Sequence, residues 1–127
     1  MPLIEFPYTL HKGYLLPIIP ITLLGHRVWV FVDSGAAFTI LSIDDAQRIE
    51  IDWQGGRQQM IVVGDGSFIP TYFHDLSIQI DKWRVTAPIG FSERLGVGFN
   101  ILGRKGIFDQ FQVCFNDHIR KVTFQKI

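Results

Sequence analysis

With 127 residues, twelve basic and twelve acidic side chains and no formal net charge, the chain has no electrostatic footprint for nucleic acid or an anionic membrane surface. It is long enough to bury a core as a single domain, residues 1–127, and its one cysteine, Cys114, can form no intrachain bridge. No structural metal, disulfide or cofactor is therefore expected, and Cys114, between Val113 and Phe115, reads as a small buried apolar residue.

The longest apolar stretch, Tyr14 to Leu24, is interrupted by Pro17 and Pro20 and falls short of the ~20 residues that a spanning helix needs. The N-terminus lacks the basic region, apolar core and small-residue cleavage site of a signal peptide. These features lead to the expectation of a cytoplasmic protein in reducing surroundings, with no membrane partner.

Apolar content of 47 %, rich in Phe, Ile and Val and punctuated by glycines, predicts a mostly-β domain. Residues 1–13 stand apart as a possible N-terminal extension. The first pair of strands is Ile18–Leu24 and Arg27–Val32, joined at Gly25-His26 in a tight hairpin turn, with Pro20 marking an edge or an irregular pairing. Val28, Val30 and Val32 alternate with Trp29 and Phe31, so this second strand is expected to be buried on both faces.

Asp33-Ser34-Gly35-Ala36 then forms a turn before a further apolar run, Phe38 to Leu41. Ser42 followed by Asp45 is a capping-box-like start for a short helix to about Ile49, with Ile43, Ala46 and Ile49 facing the core. Residues Asp52 to Arg57 read as a loop. Met60–Val63 and Phe68-Ile69 flank Gly64-Asp65-Gly66-Ser67, the pattern of a β-hairpin with a flexible tip. Leu76, Ile78 and Ile80 alternate with Ser77 and Gln79, and Asp81-Lys82 turns into a strand from Trp83 to Ile89. After Asn100–Arg104, the helical spacing of Ile107, Phe108 and Phe111 predicts a second short helix, and Gln112–Phe115 pairs with Arg120–Phe124 in a last hairpin across Asn116-Asp117.

The turn at Asp33 sets a carboxylate among apolar strands, where it is costly unless paired, protonated or functional. Hydrolysis of a peptide bond without a metal or covalent nucleophile needs a base to take a proton from water and an acid to protonate the carbonyl oxygen. Two close carboxylates supply both, because they cannot both ionise and so share one proton. Only one Asp-Ser-Gly occurs, so a partner carboxylate has to come from a second copy of the chain. No other constellation competes. His11, His26, His74 and His118 are scattered and make no metal-ligand set with Cys114, and Gly64-Asp65-Gly66 lacks the lysine and helix start of a phosphate-binding loop.

Pro17 to Ala36, a strand pair leading to Asp-Ser-Gly-Ala, resembles the approach to the catalytic turn in retroviral-type aspartic proteases, the retropepsins. Phe99-Asn100-Ile101-Leu102-Gly103-Arg104 resembles their second signature, and the order of turn, glycine-tipped hairpin and second signature extends the resemblance over most of residues 17–124.

The resemblance implies a mostly-β, retropepsin-like acid protease fold: a closed, barrel-like single lobe with a flap hairpin and one or two short helices. It implies an aspartic endopeptidase active as a homodimer on a peptide held in extended form. Asp33 would be catalytic, Ser34 would lock the two active-site turns together, and Gly35 and Ala36 would line the floor. Val63, Gly64, Asp65, Gly66, Ser67 and Phe68 would form the flap, Phe99 and Ile101 would shape substrate pockets, and Leu102, Gly103 and Arg104 would carry the structural signature. Where viral members place an Asp that pairs with this arginine, the chain has Ala37, so Arg104 needs another partner. The complete C-terminal hairpin is closer to cellular and bacterial retropepsin-like domains than to viral enzymes. The alternative is a catalytically inactive relative that persists as a dimerisation or peptide-binding module.

Overall fold

A computed structural model describes residues 2–95 and 98–127. Twelve strands and one α-helix follow one another along these residues. The N-terminal segment forms β1 (Leu3–Pro7) and a small hairpin, β2 (Thr9–His11) with β3 (Tyr14–Leu16). Then come β4 (Ile18–Leu23), β5 (His26–Val32), β6 (Thr39–Ser42) and α1 (Ile43–Arg48). A 3-10 turn at Trp53–Gly55 precedes β7 (Arg57–Val62), the long β8 (Phe68–Ile80) and β9 (Trp83–Ser92). The chain ends with β10 (Ile101–Leu102), β11 (Phe111–Asn116) and β12 (Lys121–Lys126).

Seven strands make one sheet in the order β4-β5-β10-β6-β9-β8-β7, and a further pairing of β4 with β8 closes six of them into a hydrogen-bonded ring. Closure joins Thr22 and Leu23 of β4 to Gln79 and Ile78 of β8. The β7 strand is left outside the ring, so the tip of the β7–β8 hairpin projects from it. A separate sheet, β1-β12-β11, shows that the N-terminal segment packs within the chain: Ile4 sits opposite Phe124 and Phe6 opposite Val122.

The core follows the period-two pattern of the strands. Val28, Val30 and Val32 of β5 meet Ile19, Ile21 and Leu23 of β4, all essentially inaccessible to solvent. Strands β8, β9 and β12 add Ile78, Ile80, Ile89, Phe91 and Phe124. At ~25 cal/mol per Å² of buried apolar surface, contact of this kind across the ring is the main favourable contribution to folding.

Several details differ from expectation. The other face of β5 is not buried: Trp29 is 47 % exposed and Phe31 partly so, because the core covers only the valine face. The β4–β5 turn falls at Leu24-Gly25, both with positive φ, and His26 already belongs to β5. Helix α1 forms as expected, with the Ser42 hydroxyl accepting from the Asp45 amide and Ala46 and Ile49 buried. The second helix does not form. Residues 104–111 make two successive hydrogen-bonded turns, Phe108 to Arg104 and Phe111 to Ile107, interrupted at Gly106 with φ +77°. The apolar spacing still does its work there, since Ile107 and Phe111 are buried. Cys114 is exposed rather than buried, because it lies on the outward side of β11.

Candidate active site

Strand β10 is only two residues long, yet it organises the site. It lies between β5, to which it runs parallel, and β6, to which it runs antiparallel. Its insertion fixes the end of β5: the Phe31 amide donates to the Asn100 carbonyl at 2.9 Å and the Asp33 amide to the Leu102 carbonyl at 3.0 Å. Asp33 thus leaves the sheet with its backbone already committed.

The turn itself is closed by its own polar groups. The Gly35 amide donates to Asp33 Oδ1 at 2.9 Å and the Ala36 amide to the Asp33 carbonyl at 3.2 Å. Gly35 is there for space: a Cβ on it would stand 3.3 Å from Asp33 Oδ1. Among the described residues no side chain hydrogen-bonds either Asp33 carboxylate oxygen, and Asp33 is half-buried at the surface of the lobe. A carboxylate oriented by one backbone amide and otherwise open can exchange a proton with water or with a second acid.

The Leu102-Gly103-Arg104 segment braces the turn from behind. Gly103 donates to the Thr39 hydroxyl at 3.0 Å, Arg104 to the Ala36 carbonyl at 2.9 Å and Lys105 to the Ala37 carbonyl at 2.9 Å. A side chain at Gly103 has no room, since its Cβ would lie 2.2 Å from the Phe38 carbonyl oxygen. Arg104 finds its partner within the chain: its guanidinium donates to the Ser34 carbonyl at 3.1 Å and lies 6.0 Å from the Phe108 ring centre, so the absent carboxylate at position 37 is replaced by a backbone oxygen and an aromatic face.

In front of Asp33 is a cleft of about 490 Å³. Its floor carries Gly35, Ala36 and Ala37, its walls Phe38, Ile40 and Ile101, and its roof Ile61, Val62, Val63 and Gly64 from the β7–β8 hairpin. The two charged residues on its lining are Asp33 and Arg94. The hairpin tip is shaped by Gly66, φ +84°, with the Gly66 amide bonded to the Val63 carbonyl at 2.8 Å and the Val63 amide to the Ser67 carbonyl at 3.0 Å. Asp65, fully exposed, accepts from both the amide and the hydroxyl of Ser67, and these bonds hold its carboxyl below the usual range.

The structure therefore brings Asp33, Gly35, Ala36, Ile101, Val63 and Gly64 to one cleft. It does not bring Phe99 there. Phe99 stacks on Phe31 with ring centres 5.4 Å apart and meets His11 edge-on at 5.1 Å, beside the cleft rather than within it. Phe68 is 61 % exposed and lines a second groove with Tyr72, Glu93 and Arg94.

Two residues, Asn100 of the second signature and Arg94, contribute through contacts that no motif announced. Asn100 is buried: its amide donates to the Trp29 carbonyl at 3.0 Å and to Asp45 Oδ2 at 2.7 Å, and its oxygen accepts from the Ser42 amide at 2.8 Å. Burial pushes the Asp45 carboxyl up, but hydrogen bonds from Asn100, Arg48 and Ser42 and the charge of Arg48 outweigh it and hold the group below its ordinary value. This network ties α1 to β5 and β10 and so holds the start of the second signature. The other is Arg94, whose guanidinium reaches across to the Ser67 hydroxyl at 3.0 Å. Its distance of 27 residues from Ser67 leaves no local pattern to find.

The fold matches solved structures along nearly its whole length. A retropepsin-like aspartic protease from Rickettsia conorii superposes with a TM-score of 0.73 at 16 % identity, covering 97 % of this chain and 98 % of that one. The EIAV protease, solved with an inhibitor bound, superposes with a TM-score of 0.58 at 17 % identity over 76 % of this chain and 88 % of its own. The fold is thus retropepsin-like and nearer the bacterial than the viral example. No curated protein matches at the level of sequence. The family model described as aspartyl protease matches residues 19–104, from β4 through the Asp33 turn and the β7–β8 hairpin to Arg104, and the chain belongs to that family.

Proposed function

We propose that the protein is a homodimeric aspartic endopeptidase in which the Asp33 carboxylates of two chains form the catalytic pair. The observation that carries this reading is the Asp33 turn: a carboxylate fixed by backbone bonds on one side, open on the other, and facing an apolar cleft under a hairpin. One chain supplies half of the chemistry. With a second copy on a two-fold axis, one ionised Asp33 takes a proton from water while the other, protonated, donates to the scissile carbonyl oxygen.

The surroundings support this assignment. The Ser34 hydroxyl has no hydrogen-bond partner among the described residues and is free to bond across the axis. Phe31 stacked on Phe99 leaves an aromatic surface next to the turn, where the second chain would complete the substrate pockets. An extended peptide would lie between floor and flap, held by backbone hydrogen bonds as in strand addition, with the apolar walls selecting large side chains.

Cleavage of a diverse peptide library by the purified protein from about pH 3 to 8 tests the reading, with Asp33→Asn alongside and the mass in solution recorded. Cleavage is expected from the wild type only, with Asp33→Asn reduced at least about a thousandfold. A confirmed dimer that binds peptides and cleaves none across that range would instead identify a peptide-binding module.

A further inference from the structure

Arg94 stands at the junction of two concavities. It lines the Asp33 cleft and also the neighbouring groove formed by Phe68, Pro70 and Tyr72. A chain that leaves the catalytic centre along this wall passes its guanidinium. That guanidinium makes no ion pair among the described residues, where the pairs are Asp45–Arg48 and Glu5–Lys121, although its charge helps hold the Asp65 carboxyl low. Asp65, the exposed carboxylate of the hairpin tip, is occupied by the amide and hydroxyl of Ser67. Arg94 instead donates to the neutral Ser67 hydroxyl, a link between the wall and the flap tip.

From this the geometry points to a role for Arg94 that rests on the proposed peptidase reading and extends it: Arg94 is a specificity residue that takes an acidic side chain of the bound peptide. In the free protein it rests on Ser67; in the complex a substrate carboxylate replaces that hydroxyl. The exchange is favourable because a carboxylate adds the attraction between two full charges, which the hydroxyl lacks, and a guanidinium can hold both carboxylate oxygens at once. Letting go of Ser67 also frees the flap tip to settle on the peptide. The preferred substrate class is then a peptide with large apolar residues at the scissile bond and a Glu or Asp farther out. In a two-chain site Arg94 occurs twice, so the acidic preference falls at two positions equidistant from the scissile bond.

The test reads binding, so that it does not depend on cleavage. Acetylated, amidated peptides of apolar residues, each with one Glu, one Gln or one Lys scanned through every position, are titrated into Asp33→Asn protein at pH 6.5 and low salt. The Glu peptide is expected to bind about fivefold or more tighter than its Gln counterpart at the Arg94 positions. The preference should shrink as salt is raised, vanish in Asp33→Asn/Arg94→Gln, and turn into a preference for Lys over Gln in Asp33→Asn/Arg94→Glu. Equal binding of Glu and Gln peptides at every position, or a Glu preference that survives Arg94→Gln, would overturn the assignment. Wild-type cleavage of the same peptides is scored separately. A peptidase without the acidic preference refutes the role of Arg94 alone, and the preference without cleavage refutes the peptidase reading alone.

Discussion

The floor and the roof of the cleft are built in opposite ways. The floor is over-determined: Asp33, Ala36 and Ala37 each exchange backbone hydrogen bonds with the Leu102–Lys105 segment, and a glycine packs against the Phe38 backbone where nothing larger fits. The roof is the tip of the β7–β8 hairpin, which projects from the ring. Nearly all of β7 is exposed, Met60 and Val62 stand more than half in solvent, and Arg94 to Ser67 is the described side-chain bond between its tip and the opposite wall. The proposed peptidase would need this division: its carboxylate would have to keep its geometry through the reaction, while the cover would have to move to admit a chain and expel water.

The largest expected effect comes from breaking the floor. Gly103→Ala forces a Cβ into the Phe38 carbonyl and should cost about 3 kcal/mol, seen as a fall in Tm of roughly 10 °C together with loss of cleavage. An unchanged Tm would mean that the brace is softer than its bonds indicate.

A smaller effect is expected at the Asp45 network behind the floor. Its carboxyl is held below its unfolded value, so its contribution to stability is complete above the ordinary range near pH 3.9 and is lost as pH falls through the lowered folded value. Asp45→Asn should therefore be less stable than the wild type by about 1 kcal/mol at pH 6, with the gap closing toward pH 2 in thermal melts. A gap that stays constant with pH would remove the ionised carboxylate from the account.

The smallest effect on stability is expected at the roof. Gly66→Ala strains a turn at φ +84° by about 1 kcal/mol, but because the tip can open locally the global Tm should move by only about 1 °C. Slower cleavage with an intact Tm would confirm that the hairpin acts on access rather than on folding; a large fall in Tm would show that the roof is part of the cooperative core.

The same contrast explains what the sequence disclosed. The hairpins and the Asp33 turn were legible because their determinants are local: alternating apolar residues, turn residues, and Ser42 three positions before Asp45. The second signature was legible as a string, but not the reason for it, since Gly103 is dictated by Phe38, far from it in the chain. Where tertiary placement decides, local pattern misleads. Ile107, Phe108 and Phe111 have helical spacing, but Gly106 takes a positive φ against Ala87, and the segment remains two turns. Trp29 and Cys114 look like core residues and are exposed, because apolarity does not say which face of a strand has a neighbour. Phe99 has the right position in the signature and lies beside the cleft because it is drawn onto Phe31 and His11. Asn100 and Arg94 act through partners between 27 and 71 residues away, a spacing that carries no local signal.

The central claim is that one catalytic pair is assembled from two chains. Wild-type and Asp33→Asn protein are mixed in varying ratio at constant total concentration, allowed to exchange subunits, and assayed on one cleaved peptide. If each site requires Asp33 from both chains, activity should follow the square of the wild-type fraction. Activity directly proportional to that fraction would contradict the account, because a single chain would then carry the chemistry alone.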